Sequence, residues 1–180
     1  MILFVPYVLH GCGNSINTIE HERNVYKSLL SHMGGDDVET LVIRSVSVRD
    51  MINVEVQDPF EKEKLAVEAH GAYVVSNEET TAVPIDTEWD SRVVLVTEVE
   101  HSEIFSRSNI EQNWESFYKR YPKAKSLIGL SRVGFNKELT EAVVYVEFSC
   151  GPLCGSGKLA YLKRGLFGWF VELVEGLWVA

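Results

Sequence analysis

The C-terminal part of the chain carries the pattern that most constrains the fold. From Ser126 onward, runs rich in β-branched and aromatic residues alternate with short turns, which is typical of strands. The predicted strands cover 126–135, 142–149, 157–164 and 168–179. Links of only a few residues join antiparallel neighbours, because a parallel pair needs a long crossover. The sequence therefore predicts a four-stranded antiparallel meander.

Helical patterns dominate the chain before the meander. Apolar residues at helical spacing predict one helix over 18–33 and another over 110–121, the second with Asn109 at its cap. A further helix is predicted to begin at Asp58, where an N-cap precedes proline, and to end at Gly71.

Two short segments before the meander, 38–48 and 92–97, have the composition typical of strands, and the polar stretch 76–90 is predicted to be a loop. The predicted fold class is α+β, with N-terminal helices packed on the meander and one or two further strands from the N-terminal half. We expect Trp114 and Phe117 to contact the sheet.

Charge and hydropathy exclude several classes of function. Asp and Glu outnumber Lys and Arg 26 to 17, which gives a net charge of −9 at pH 7. Such a balance does not favour nucleic acid or an anionic membrane surface as a main partner, because neutralising phosphates needs a basic surface. The sequence has no run of about 20 apolar residues, so no transmembrane helix is predicted.

The N-terminus is apolar and uncharged as far as Cys12. The segment Leu9–Cys12 resembles the bacterial lipobox, although His10 stands where a small or β-branched residue is usual and no Lys or Arg precedes it. The resemblance implies a truncated lipoprotein signal over 1–11. The polar composition that follows predicts a linker over 12–17, and no later boundary is indicated, so a single domain is predicted over 18–180. It also implies an acyl group on Cys12 that anchors the protein to the bilayer of the cell envelope, at the outer membrane if there are two.

An alternative interpretation makes the same apolar segment a buried N-terminal strand. Cys12 is then an ordinary core thiol, and the protein is cytoplasmic.

The remaining two cysteines, Cys150 and Cys154, flank a Gly-Pro-Leu turn between two predicted strands. Facing positions at the end of a hairpin lie within the Cα separation that a disulfide accepts. A structural disulfide is the leading interpretation, and a reduced pair or a redox-active pair are the alternatives.

A resemblance to a set of uncharacterised bacterial proteins covers residues 110–180. It is carried by Trp114-Glu115-x-Phe117-Tyr118-x-x-Tyr121-Pro122, Leu130–Asn136, Ala142–Val146, Gly151-x-Leu153-x-Gly155-x-Gly157 and the late Trp178. The resemblance implies a bacterial origin and one compact α+β domain. It implies no activity.

The densest group of candidate catalytic side chains is Glu100, His101 and Glu103, after the predicted strand 92–97. A histidine oriented by carboxylates suits a general base or a weak cation site. The alternative is a solvated loop at the end of a strand.

Other motifs for cofactors or nucleophiles fail. The glycine-rich segment before Lys158 has Pro152 and Leu159 where a P-loop needs glycine and Ser or Thr, and Val133 breaks the nucleophile-elbow pattern. The five histidines have no metal-ligand spacing. We expect neither a cofactor nor a metal site.

Arg132 is the other candidate, because it lies among apolar residues of a predicted strand. An inward arginine needs a partner, and Glu141 or Glu147 on the adjoining strand is available. The alternative is an arginine that binds an anion or carboxylate.

The leading hypothesis is thus a non-catalytic binding or interaction domain of the cell envelope, lipid-anchored at Cys12, whose partner is an envelope protein or a small ligand. A second hypothesis is a small hydrolase or cation-dependent enzyme that uses Glu100, His101 and Glu103. A third is a cytosolic partner-binding protein.

Overall fold

The computed structural model describes residues 12–35, 38–49 and 66–180, with the side chains of the first helix described from residue 18 onward. The helices are α1 (Cys12–Gly34), α2 (Val67–Ser76), α3 (Glu98–Ile104) and α4 (Ile110–Arg120). The strands are β1 (Thr40–Arg44), β2 (Val93–Val96), β3 (Ala124–Leu130), β4 (Gly134–Phe135), β5 (Glu141–Gly151), β6 (Cys154–Gly165) and β7 (Gly168–Val179).

These seven strands form one mixed sheet in the order β2-β1-β3-β5-β6-β7, with β4 beside β5. Strand β1 is parallel to β2 and to β3, whereas β3, β5, β6 and β7 pair antiparallel with their neighbours. The predicted α+β class and the antiparallel meander are confirmed. The strand predicted over 126–135 is divided, because β3 ends at Leu130 and β4 begins at Gly134.

Helices cover both faces of the sheet. Helix α1 buries Tyr26, Leu29 and Leu30 against alternate residues of the strands, among them Val144 and Leu162. This alternation is the expected consequence of strand geometry, in which successive side chains point to opposite faces.

On the opposite face, α2 packs Ala69 and Tyr73 against Tyr145. Helix α4 packs there too, and its Trp114 and Phe117 join the buried cluster that includes residues of β1, β2 and β3, as expected from the apolar stripe.

Two predicted helix boundaries are wrong. Helix α1 begins at Cys12, so 12–17 is the start of a helix and not a linker. Helix α2 continues through Gly71 to Ser76, because Ala69 and Tyr73, on either side of the glycine, pack against the sheet. The predicted start of that helix at Asp58 lies outside the described residues.

The segment after β2 is the helix α3 and not a loop. Thr97 and Glu100 form a reciprocal capping box, in which each side chain bonds the backbone N–H of the other. None of the helices in the described part of the chain is long and apolar enough to cross a membrane.

Candidate functional site

The predicted acid–histidine cluster lies on α3, where its members serve the fold. The Glu100 carboxylate accepts from the Thr97 backbone N–H at 3.1 Å and from the Thr97 hydroxyl at 3.0 Å, and it also pairs with Arg120 of α4. The bonds from Thr97, followed by those from Arg120, lower the pKa of Glu100. Its oxygens are therefore engaged by the cap and by α4.

His101 packs its ring 4.9 Å from that of Phe105, and burial together with Arg44 lowers its pKa. Glu103 is exposed on the same helix. Because the capping box and the Phe105 contact account for Glu100 and His101, the general-base interpretation gains no support from this geometry.

Arg132 lies in the link between β3 and β4, and its partner is neither Glu141 nor Glu147. Its Nε and Nη2 donate to the two carboxylate oxygens of Glu22 on α1, each at 2.7 Å. Glu141 instead accepts from the Tyr161 hydroxyl, and Glu147 from that of Tyr145. The expected ion pair exists, but the predicted partner was wrong because α1 covers this link.

Glu22 is the centre of a buried network, with only 1% of its surface exposed. Besides Arg132, its Oε1 accepts from the Tyr26 hydroxyl at 2.8 Å and from the Val133 backbone N–H at 3.1 Å. The remaining Arg132 nitrogen, Nη1, donates to Thr81 at 2.8 Å. The network fixes α1 on the sheet, and it leaves Arg132 paired within the protein.

The cysteine pair is at disulfide distance, with the Cα atoms of Cys150 and Cys154 5.1 Å apart across the β5–β6 turn. Cys12 begins the backbone of α1. Its side chain, and the expected signal over 1–11, lie outside the described residues. No group of three or more His, Cys, Asp or Glu within the described ranges is arranged to hold a metal ion.

A groove of about 410 Å³ lies between α1 and the β6–β7 hairpin, and we call it the α1–hairpin groove. Helix α1 contributes His21, Asn24, Lys27, Ser28 and Ser31, and the hairpin contributes Arg164, Phe167, Gly168 and Trp169. The lining thus combines polar side chains and two cations, Lys27 and Arg164, with the aromatic rings of Phe167 and Trp169, on a protein whose net charge is negative.

Two hydrogen-bond donors converge in this groove. The Trp169 Nε1–H donates to His21 Nδ1 at 3.1 Å. An indole can only donate, so Nδ1 is the acceptor and a neutral His21 carries its proton on Nε2. Arg164 Nη1, which also only donates, lies 3.0 Å from that Nε2. In this tautomer both nitrogens are donors, so neither accepts a hydrogen bond from the other.

The electrostatics of the groove also favour a negatively charged acceptor. Burial, and next the Arg164 guanidinium, lower the pKa of His21, whereas Glu20 on the same helix raises it. No carboxylate of the described residues pairs with Arg164 or Lys27. Lys27 instead lies 5.9 Å from the centre of the Trp89 ring. An acceptor that carries negative charge would satisfy both converging donors and both cations.

The fold holds these groups in place. Trp169 is 9% exposed and belongs to the core under α1, and its ring meets that of His21 edge-on at 5.8 Å. Glu22, the next residue after His21, forms the ion pair with Arg132. The register of the hairpin sets Arg164 directly opposite Trp169.

Sequence reasoning did not find this groove, because His21 and Arg164 are 143 residues apart in the chain. Neither residue belongs to a motif. The comparisons with known proteins add nothing to the geometry: no family model, no curated protein and no solved structure matches the chain.

Proposed function

We propose that this protein is a non-catalytic binding domain of the bacterial cell envelope, held on the bilayer by an acyl group on Cys12, and that it binds an anionic group in the α1–hairpin groove. The observation that carries the binding role is that His21 Nε2 and Arg164 Nη1, both donors when Trp169 donates to His21 Nδ1, lie 3.0 Å apart in the groove. A carboxylate or phosphate oxygen accepts from several donors at once, which suits this arrangement.

The envelope location has separate support. The Leu9–Cys12 segment is similar to a lipobox, and disulfides persist in oxidising compartments outside the cytosol. The disulfide-distance pair Cys150 and Cys154 is therefore consistent with the envelope. With Cys12 acylated, no odd thiol remains among the three cysteines.

Binding is tested by titrating the full chain with inorganic phosphate while following the Trp169 indole N–H by NMR, at constant ionic strength. We expect a saturable shift that is lost in the variant Arg164→Gln. As the matched control, Lys119→Gln removes an exposed positive charge on α4, and it should leave the shift unchanged. No shift in the wild-type protein would contradict the binding role.

Location is tested by intact mass, with and without thiol alkylation, on protein from the native membrane fraction. We expect a chain that begins at Cys12, carries acyl groups and contains no free thiol. A soluble chain that begins at Met1 and has three alkylatable thiols would overturn the envelope assignment.

A further inference from the structure

The turn of the β6–β7 hairpin is apolar where turns are usually polar. Leu166 and Phe167 form the turn, and they are 98% and 104% exposed. Turns favour Gly, Asn, Asp and Ser because these residues fit the backbone or bond to it, and neither Leu nor Phe offers either advantage. Nothing in the packing of the described residues requires apolar side chains at this tip.

This apolar tip adjoins the cationic groove. Phe167 lines the groove itself, and Arg164 is only two residues before Leu166 on the same hairpin. The net charge of the whole chain is −9, but this part of its surface presents the cations of Lys27 and Arg164 beside two fully exposed apolar side chains. A ligand that matches both features carries a negative charge next to hydrocarbon.

We infer that the α1–hairpin groove takes the phosphodiester headgroup of an anionic phospholipid, while Leu166 and Phe167 insert among the neighbouring acyl chains. The inference rests on the proposed function, since it names the class of anion that the same groove binds. Leu and Phe are among the side chains that peripheral proteins bury at the boundary of headgroups and acyl chains, and anionic lipids attract basic side chains there.

The placement of the groove along α1 fits a bilayer surface. His21 is nine residues after Cys12 on one continuous helix, a rise of about 14 Å. With an acyl group at the start of the helix, the groove stays within reach of the headgroup layer.

The test uses the full chain with Cys12→Ser, which cannot be acylated, and vesicles of phosphatidylcholine with or without phosphatidylglycerol. We expect binding to the phosphatidylglycerol vesicles and little to phosphatidylcholine alone. Both Leu166→Ser with Phe167→Ser and Lys27→Gln with Arg164→Gln should weaken binding about tenfold or more.

Matched controls separate the site from general adsorption. Leu153→Ser removes an 87% exposed leucine from the turn between β5 and β6, and it should leave vesicle binding unchanged. Lys119→Gln with Lys137→Gln removes two positive charges elsewhere on the surface and should also have no effect.

The titration with inorganic phosphate distinguishes failure of the lipid inference from failure of the proposed function. If phosphate shifts the Trp169 indole signal but vesicles do not bind, or bind equally well after the Leu166 and Phe167 substitutions, the lipid inference is overturned while the anion site stands. If phosphate gives no shift, the proposed function fails. Vesicle binding that survives Lys27→Gln with Arg164→Gln overturns the lipid inference as well.

Discussion

Removal of the Arg132 side chain should be far more harmful to stability than its partly exposed position suggests. The side chain of Glu22 is 2% exposed and that of Arg132 is 28% exposed. The variant Arg132→Met leaves a buried carboxylate without its counter-charge and without two charge-assisted hydrogen bonds, each worth about 1.5–3 kcal/mol. We expect a loss of about 3–5 kcal/mol in the free energy of unfolding, as for other broken buried pairs.

Substitution of the partner, Glu22→Gln, should lower the free energy of unfolding by less. In Glu22→Gln the arginine loses its counter-charge, but its exposed fraction lets water solvate the guanidinium, whereas water has little access to Glu22 in Arg132→Met. Urea unfolding measures both, and a loss of 4 kcal/mol lowers the midpoint by about 2 M if m is about 2 kcal/mol per M.

Glu39→Gln, which breaks the exposed pair with Lys123, is the matched control and should change nothing measurable. A loss below about 1 kcal/mol for Arg132→Met, or a larger loss for Glu22→Gln, would refute the reasoning.

Three further predictions follow from local geometry. Gly134→Ala should lower the free energy of unfolding by about 1–3 kcal/mol or more, because the new Cβ would lie 2.1 Å from a backbone nitrogen of α2. Gly71→Ala, within α2 and with open space around it, should instead raise the free energy of unfolding by up to about 1 kcal/mol. Thermal melts compare the two variants. Cys150→Ser with Cys154→Ser should lower the free energy of unfolding, measured in urea without reductant, by about 2 kcal/mol, the value for so short a loop, and an unchanged value would contradict a structural disulfide. Burial and the neighbouring Arg164 guanidinium lower the pKa of His21 from 6.5, so the stability that the neutral ring contributes is present above pH 6.5 and is lost as the pH falls below it. His21→Asn should flatten the dependence of the unfolding free energy on pH below 6.5. An unaltered pH dependence would contradict the prediction.

Local patterns predicted the C-terminal half of the fold well. The meander followed from apolar runs joined by short turns, and α4 begins at Ile110 with the Asn109 side chain accepting from two backbone N–H groups, as the cap pattern indicated. Both features depend on residues within a few positions of one another. The proximity of Cys150 and Cys154 was predictable for the same reason, since a single hairpin turn sets it.

Other features could not be predicted because they join distant parts of the chain. The pairing of β1 with β2 and β3 is parallel, and parallel neighbours come from segments separated by crossovers whose course no local pattern fixes. Arg132 was expected to pair across a strand, yet its partner Glu22 is 110 residues away on α1. The sequence indicated that the arginine needs a carboxylate, but only packing decides which carboxylate is near.

The sequence by itself determined the α+β class, the meander and the capped helix α4, because hydrophobic periodicity and turn chemistry act over a few residues. Only the tertiary structure decided where the candidate site lies. His21, Arg164 and Trp169 meet because α1 packs across the β6–β7 hairpin, and the convergence of their donors exists only once that packing is complete.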